Sequence, residues 1–403
     1  MVTRTIIIAG VLAFIGIHCA YAGEPLDVNA GVDVRIVSSN SDDSSLRGGY
    51  GSTRFDNDHE GLRAGSAYVS ARYRLDDTLT LNGDALGYGD GHGSAVDVTQ
   101  LYVNWRPFPA GGIRFSSKVG LFYPEFSMEN RGHAWTPVYT ITPSAINSWY
   151  GEELHALGAE ANIKWLGASV GYQGDVAFIA GVYGWNDPLG VAVAFHGWNF
   201  HDRQTGLFNY LLSSASPGKH IHEMREIDGR PGFYAGLQWH HGDRLDVRLY
   251  RYDNRADPAA FHGGYAWLTR FNTLDVRWEV NEQWTAIAQW LRGETFVRPQ
   301  PAGSAWNMDA WFVLLSRQMN SWRLSLRRDE FSNDQFRSTS APHAYDDKGS
   351  AWTFAVIKDF NSQWQAAAEW LRVDSTFPPR SYDADPRQID QQWQLLLRYK
   401  WHH

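Results

Sequence analysis

Two stretches of the chain, NEQWTAIAQWLRGET (281–295) and NSQWQAAAEWLRVDS (361–375), repeat one alternation of apolar and polar positions. Each has two tryptophans six residues apart, Trp284 and Trp290 or Trp364 and Trp370, with small residues on the even positions between them. In a helix, six steps of about 100° would turn the second tryptophan roughly 120° from the first, whereas the period of two in a strand keeps them on one face. That face, Trp364, Ala366, Ala368 and Trp370, is aromatic at its ends and small in its middle. The opposite face, Gln363, Gln365, Ala367 and Glu369, is mixed polar. Each stretch therefore predicts a strand that separates an apolar phase from water.

A polar turn followed by tryptophan recurs at Asn320-Ser321-Trp322, so the turns fall before Trp284, Trp322 and Trp364, a period of about 40 residues. Such a period suits a propeller blade of four short strands or a pair of long ones. The intervals favour long pairs: WRLSLRRDEF goes out, SNDQFRSTSAPHAYDDKGS turns and AWTFAVIKDF returns, with no WD or kelch signature. Tight turns at Arg74–Leu79, Phe108–Ile113, Tyr172–Val176 and HHGDRLDV carry the alternation through the rest of the chain. Seven tight turns, with one further strand at either end, predict sixteen strands. They are placed at 27–38, 63–75, 78–89, 96–107, 113–123, 153–172, 176–186, 232–240, 244–253, 265–279, 283–297, 306–318, 322–333, 349–359, 363–375 and 389–401. A hairpin hidden in Val191–Leu212 would raise the count to eighteen. The expected fold is all-β, a transmembrane antiparallel up-and-down β-barrel with both ends on the tight-turn side. Its long loops, 39–62, 124–152 and 187–231, lie on the other side.

Composition agrees with two-sided strands. Aromatic residues make 14% of the 403 residues, with 19 Trp, 19 Tyr and 20 Phe, yet mean hydropathy is −0.40. A net charge of −8 is too mild to point to nucleic acid. The start, MVTRTIIIAGVLAFIGIHCAYAGEP, has Arg4, an apolar run from Ile6 to Ile17 and Ala20-Tyr21-Ala22. It reads as a Sec signal peptide over residues 1–22, which leaves 23–403 for the barrel. The single cysteine, Cys19, falls inside that segment, so the exported chain is expected to be cysteine-free. No other stretch offers the ~18 consecutive apolar residues of a membrane helix.

The tryptophans after the turns, Trp284, Trp322 and Trp364, are candidates for an aromatic girdle at the membrane interface, joined by Tyr399 and Trp401. In WQLLLRYKW, Trp393, Leu395, Leu397, Tyr399 and Trp401 share one face, which resembles the aromatic-terminated last strand read by the barrel assembly machinery. Here two histidines follow the final tryptophan. With the signal segment and sixteen strands, the chain resembles a Gram-negative outer-membrane porin. The segment MENRGHAWTPVYTITPSAINSWYGEEL (128–154) is similar to a loop of proteobacterial porin-like proteins. The resemblance implies residence in the outer membrane among lipid and lipopolysaccharide, passive diffusion of small hydrophilic solutes and a homotrimer. It implies no cofactor and no enzymatic activity. Phosphate-selective porins of this layout have lysine-lined pores, and the six lysines here speak against that specificity.

If apolar positions face lipid, the alternate positions place Arg72, Arg74, Arg106, Arg114 and Lys118 toward water, on strands two to five. With neighbouring strands ~4.8 Å apart these cations would form a ladder, extended across the closure by Arg323, Arg327 and Arg398. Asp275, Glu279 and Glu369 offer partial compensation. A weak anion preference follows, against the alternative of a transverse field set up with loop carboxylates. A wide barrel is narrowed only by loops folded inward. The candidate constriction loop, Pro124–Gly151, carries Glu125, Glu129, Arg131 and Trp135, with Glu152 and Glu153 after it; Asn186–Pro231 is the second candidate. HIHEM (220–224) lacks a third ligand at a known spacing, and FDNDHEG (55–61) and GYGDGHGS (87–94) complete no calcium loop, so no metal is expected. The competing readings are an outer-membrane barrel enzyme of lipase or protease type, for which no G-x-S-x-G occurs, and a periplasmic β-propeller-like binding protein.

Overall fold

The alternation becomes a closed wall in the computed structural model, which describes residues 25–90, 94–212, 220–298, 303–338, 343–382 and 385–403. The predicted signal segment and Cys19 lie outside the described residues. The strands are β1 (Leu26–Ser39), β2 (Gly61–Arg74), β3 (Leu79–Tyr88), β4 (Val96–Trp105), β5 (Ile113–Phe122), β6 (Ala156–Trp165), β7 (Gly174–Gly184), β8 (Leu211–Leu212) and β9 (His220–Ile221). They continue as β10 (Gly232–His241), β11 (Leu245–Asp253), β12 (Trp267–Glu279), β13 (Trp284–Val297), β14 (Ser304–Met319), β15 (Trp322–Arg337), β16 (Asp347–Asp359), β17 (Trp364–Thr376) and β18 (Arg387–His402). All but β8 and β9 belong to one antiparallel barrel of sixteen strands, in which each strand pairs with its neighbours along the chain and β7 pairs with β10. The barrel closes where β1 meets β18, in register from Asn29 with His402 to Ser39 with Gln392. A single closed sheet excludes the propeller.

The repeated stretches owe their first residue to the turn. The Asn281 side-chain oxygen accepts from the backbone N–H of Gln283 and Trp284 at 2.9 and 3.0 Å, and Asn361 does the same for Gln363 and Trp364 at 2.8 Å each. Asp76 closes the first turn in this way with Thr78 and Leu79. These side-chain turns satisfy the donors that the reversal leaves free.

Outside, Trp284, Trp322, Trp364 and Trp278 stand at the turn ends of their strands, small and branched residues follow, and Trp290, Trp352 and Trp393 form a second level. Trp364 packs on Tyr399 at 5.0 Å between ring centres. Charged residues, among them Arg292, Glu294, Arg372 and Asp374, begin beyond the second tryptophan level. An apolar band between aromatic girdles is the exterior of a membrane-spanning barrel. No helix among the described residues is long and apolar enough to cross a membrane.

Two expectations for the long loops are corrected. The strand expected over 153–172 is shorter, because Ser144 caps a helix, α1 (Ala145–Glu153), accepting from Asn147 N–H at 3.2 Å, and because Gly171 turns at φ +75°. The stretch Val191–Leu212 adds no wall hairpin: it opens with a short helix, α2 (Val191–His196), and β8 pairs only with β9.

Candidate functional site in the barrel lumen

Both long loops fold into the barrel and fill its loop-side half. Every residue of α1 is buried, and Phe126, Met128, Trp149, Tyr150, Leu189, Val193 and Trp198 form one apolar cluster with inward residues of the wall such as Tyr250, Phe271, Leu291, Phe312 and Leu371. Rings meet through this contact, Phe126 tilted against Tyr250 at 4.5 Å and Tyr150 stacked on Phe271 at 5.9 Å. The lumen expected to be aqueous is therefore a packed core in its loop-side half.

Charged wall residues hold this plug by its backbone. Arg327 is fully buried and donates to Asp329 at 2.8 Å, to the carbonyls of Thr142 and Pro143 at 2.9 Å each, and to Thr353 Oγ1 at 3.1 Å. Glu369, two strands along the wall on β17, accepts from the N–H of Ile141 and Thr142 at 2.6 and 3.1 Å. Asp329 accepts from Ala145 N–H, and Gln289 exchanges hydrogen bonds with the carbonyl of Phe126 and the amide of Asn147. The second loop is fastened alike: Asp347 accepts from Trp198 N–H at 2.7 Å and Asn333 donates to the carbonyl of Val193 at 2.7 Å. Glu153, at the end of α1, accepts from the N–H groups of Gly190 and Ala192, which joins the two loops; burial pushes its carboxyl up to about 8.

A chain of ion pairs closes one side. Arg398 meets Asp33 at 2.9 Å, Asp33 meets Arg35 at 2.8 Å, and Arg35 meets Asp202 of the second loop at 2.6 Å. Asp202 meets Arg54 at 2.8 Å, Arg54 meets Asp90 at 2.9 Å, and Asp90 meets Arg203 at 3.3 Å. Burial alone would raise the Asp202 carboxyl, but Arg35 and Arg54 outweigh it and hold it far below the usual carboxylate range.

The sequence candidates divide. Arg72 faces inward from β2, its Nε 3.3 Å from Asn82, and Arg74 is exposed at the turn end of the strand. Arg106 sits in the turn after β4, outside the wall, so no cation stands on β4 between Arg72 and β5 and the expected ladder is interrupted. Arg114 is half-buried on β5 directly opposite Lys164, and Lys118 is held by Glu125 at 2.6 Å and Glu160 at 3.5 Å. Arg323 lies over the Tyr139 ring at 5.0 Å, while Arg327 fastens the plug and meets no open lumen. In the loop, Trp135 stacks on Tyr123 at 4.4 Å and Arg131 is exposed, facing Arg248 and Arg277. Glu129 is buried against Arg327, and Glu152 lies 3.4 Å from His201. Trp322 and Trp364 are exposed on the outer face, with Trp284, Tyr399 and Trp401 half-exposed on the same face. Of HIHEM, Glu223 is buried and its histidines are not grouped with it around a metal-sized space; the one such acidic group among the described residues, Asp187, Glu226 and Asp228, is engaged in capping loop N–H groups. FDNDHEG is a short 3-10 turn, and 91–93 of GYGDGHGS lie outside the described residues.

No protein-family model matches the chain, and no curated protein matches it in sequence. Solved structures do match. The outer-membrane channel DcaP of Acinetobacter baumannii is 9% identical with a TM-score of 0.54, over 93% of this chain and 96% of that chain. The anion-selective porin from Comamonas acidovorans is 10% identical with a TM-score of 0.52, over 93% and 99%. The trimer form of OmpT, an outer membrane protein of Vibrio cholerae, is 13% identical with a TM-score of 0.53, over 93% and 99%. At such identities the likeness is one of fold: this chain has the sixteen-stranded barrel of the outer-membrane porins.

Proposed function

We propose that the protein is a channel of the Gram-negative outer membrane, exported by a Sec signal peptide, through which small hydrophilic solutes diffuse past the plug. The observation that carries this reading is a closed barrel with a lipid-facing exterior and a polar lumen on its turn side, which general membrane topology assigns to the periplasm. Arg72, Arg114, Lys164 and Arg323 line that lumen, and none of the four forms an ion pair among the described residues. They support a weak preference for anions. The constriction is the underside of the loop over 124–153, where Glu125 is tied to Lys118 and Arg131 and Tyr139 meet the wall. Purified protein in a planar bilayer tests the reading. Discrete conductance steps with a reversal potential shifted toward anions are expected; a closed trace at every voltage overturns the channel, and a clear cation preference overturns the selectivity.

A further inference from the structure

The plug leaves one side of the lumen unfilled. A cavity of about 190 Å³ lies between plug residues 132–141 and the inner faces of β2, β3 and β16–β18. Its floor is apolar: Ile141 of the plug packs with Ile357, Ala367 and Leu396 of the wall. Arg398 and Lys400 stand at its edge; Lys400 is paired with Asp359 at 2.9 Å, which leaves Arg398 as the cation that faces the cavity.

The charge of that edge follows from the ion-pair chain. From Arg398 through Asp33, Arg35, Asp202, Arg54 and Asp90 to Arg203 it alternates in charge, with Arg398 at the cavity. The inner members Arg35 and Arg54 are sealed from water, and both Asp202 oxygens are taken by them. Arg398, by contrast, is not sealed, and it is the member of the chain that faces the cavity. There Arg398 engages Asp33 through Nη2, and Asp33 is shared with Arg35 and Ser66. A guanidinium with donors to spare suits a carboxylate, which it can grip with two parallel hydrogen bonds. The floor suits an apolar group, and a cavity of ~150 Å³ with such a lining already accepts a benzene ring. A cation would find no free carboxylate oxygen on Asp202, and a sugar would leave its hydroxyls facing the floor without partners.

We propose that this cavity binds a small amphipathic carboxylate, with its anionic group on Arg398 and an apolar body of about one ring on the floor of Ile141, Ile357, Ala367 and Leu396. The site goes beyond the channel reading and does not require conduction.

Calorimetric titration of the folded, detergent-solubilised full chain with benzoate tests it, with benzyl alcohol and acetate as probes lacking the charge or the ring and empty micelles as the blank. Saturable benzoate binding is expected, with either comparator about tenfold weaker or worse. Arg398→Gln should weaken benzoate binding by a similar factor. Ala367→Phe should abolish it by filling the floor while leaving the ion-pair chain intact, and this variant decides the matter if Arg398→Gln fails to fold. Absent saturation, equal binding of benzyl alcohol, or unchanged binding by Ala367→Phe overturns the site. Binding in a protein that carries no current would uphold the site and overturn the channel, and current without binding would do the reverse.

Discussion

Asn281 and Asn361 each close a tight turn with one side-chain oxygen and two backbone donors. Replacing either with alanine leaves those donors to water and should cost about 1 kcal/mol, read as a lower urea midpoint for unfolding in micelles. Arg327 is a different case, because its removal strands buried Glu129 and Asp329. Arg327→Met should destabilise the seated plug by about 3–5 kcal/mol and raise the frequency of large conductance steps in single-channel records. Proton linkage acts on the same seat from both directions. His155 packs on Tyr123, and burial lowers its ring from 6.5 to about 3. A displaced loop takes up a proton that the seated loop refuses, so this contribution to seating is full above about pH 6.5 and is lost toward pH 3. Glu153 has the opposite sign: burial raises it from 4.5 to about 8, so the seated form holds a proton that the displaced form loses, and seating weakens as pH rises through that window. The two contributions offset each other between about pH 4.5 and 6.5, where conductance should be lowest; His155→Phe should flatten the acid limb and Glu153→Gln the alkaline one.

At the scale of elements, the wall and the inward folding of the two long loops were legible in the sequence, and the contacts that fasten the plug were not. A period of two with a tryptophan after each polar turn defines a strand locally, which is why β13, β15 and β17 lie within a residue or so of expectation, except where β15 runs on past Asn333. The plug depends on contacts between positions far apart along the chain. Glu369, which in the sequence looks like compensation for pore arginines, accepts the N–H groups of residues more than two hundred positions earlier. Arg35, Arg54 and Asp202 join three segments that share no local pattern. Beside the width of the barrel and the length of the loops, the aromatic content of the second loop, unusual for a solvated segment, was a sign of burial, and Trp198 and Phe200 are buried. Because the wall's own strand pairing does not involve the plug, replacing residues 128–150 with a short Gly/Ser linker should leave the barrel folded. It should raise single-channel conductance severalfold, toward that of an open sixteen-stranded lumen.

For the whole molecule, strand length varies around the wall, from nine residues in β11 and ten in β3, β4, β5, β6 and β10 to sixteen in β14, β15 and β18. A trimer is expected when unheated protein is weighed in detergent by light scattering; a monomer mass would exclude it. The division of tryptophans between the two sides of the wall also gives the molecule two optical populations. Trp105, Trp165, Trp322 and Trp393 stand in the lipid boundary, where a brominated acyl chain reaches them, whereas Trp149, Trp198, Trp267 and Trp306 lie behind the wall in contact with the plug. The emission that survives such a lipid quencher belongs to the interior, and its spectrum follows the seating of the plug without any added label.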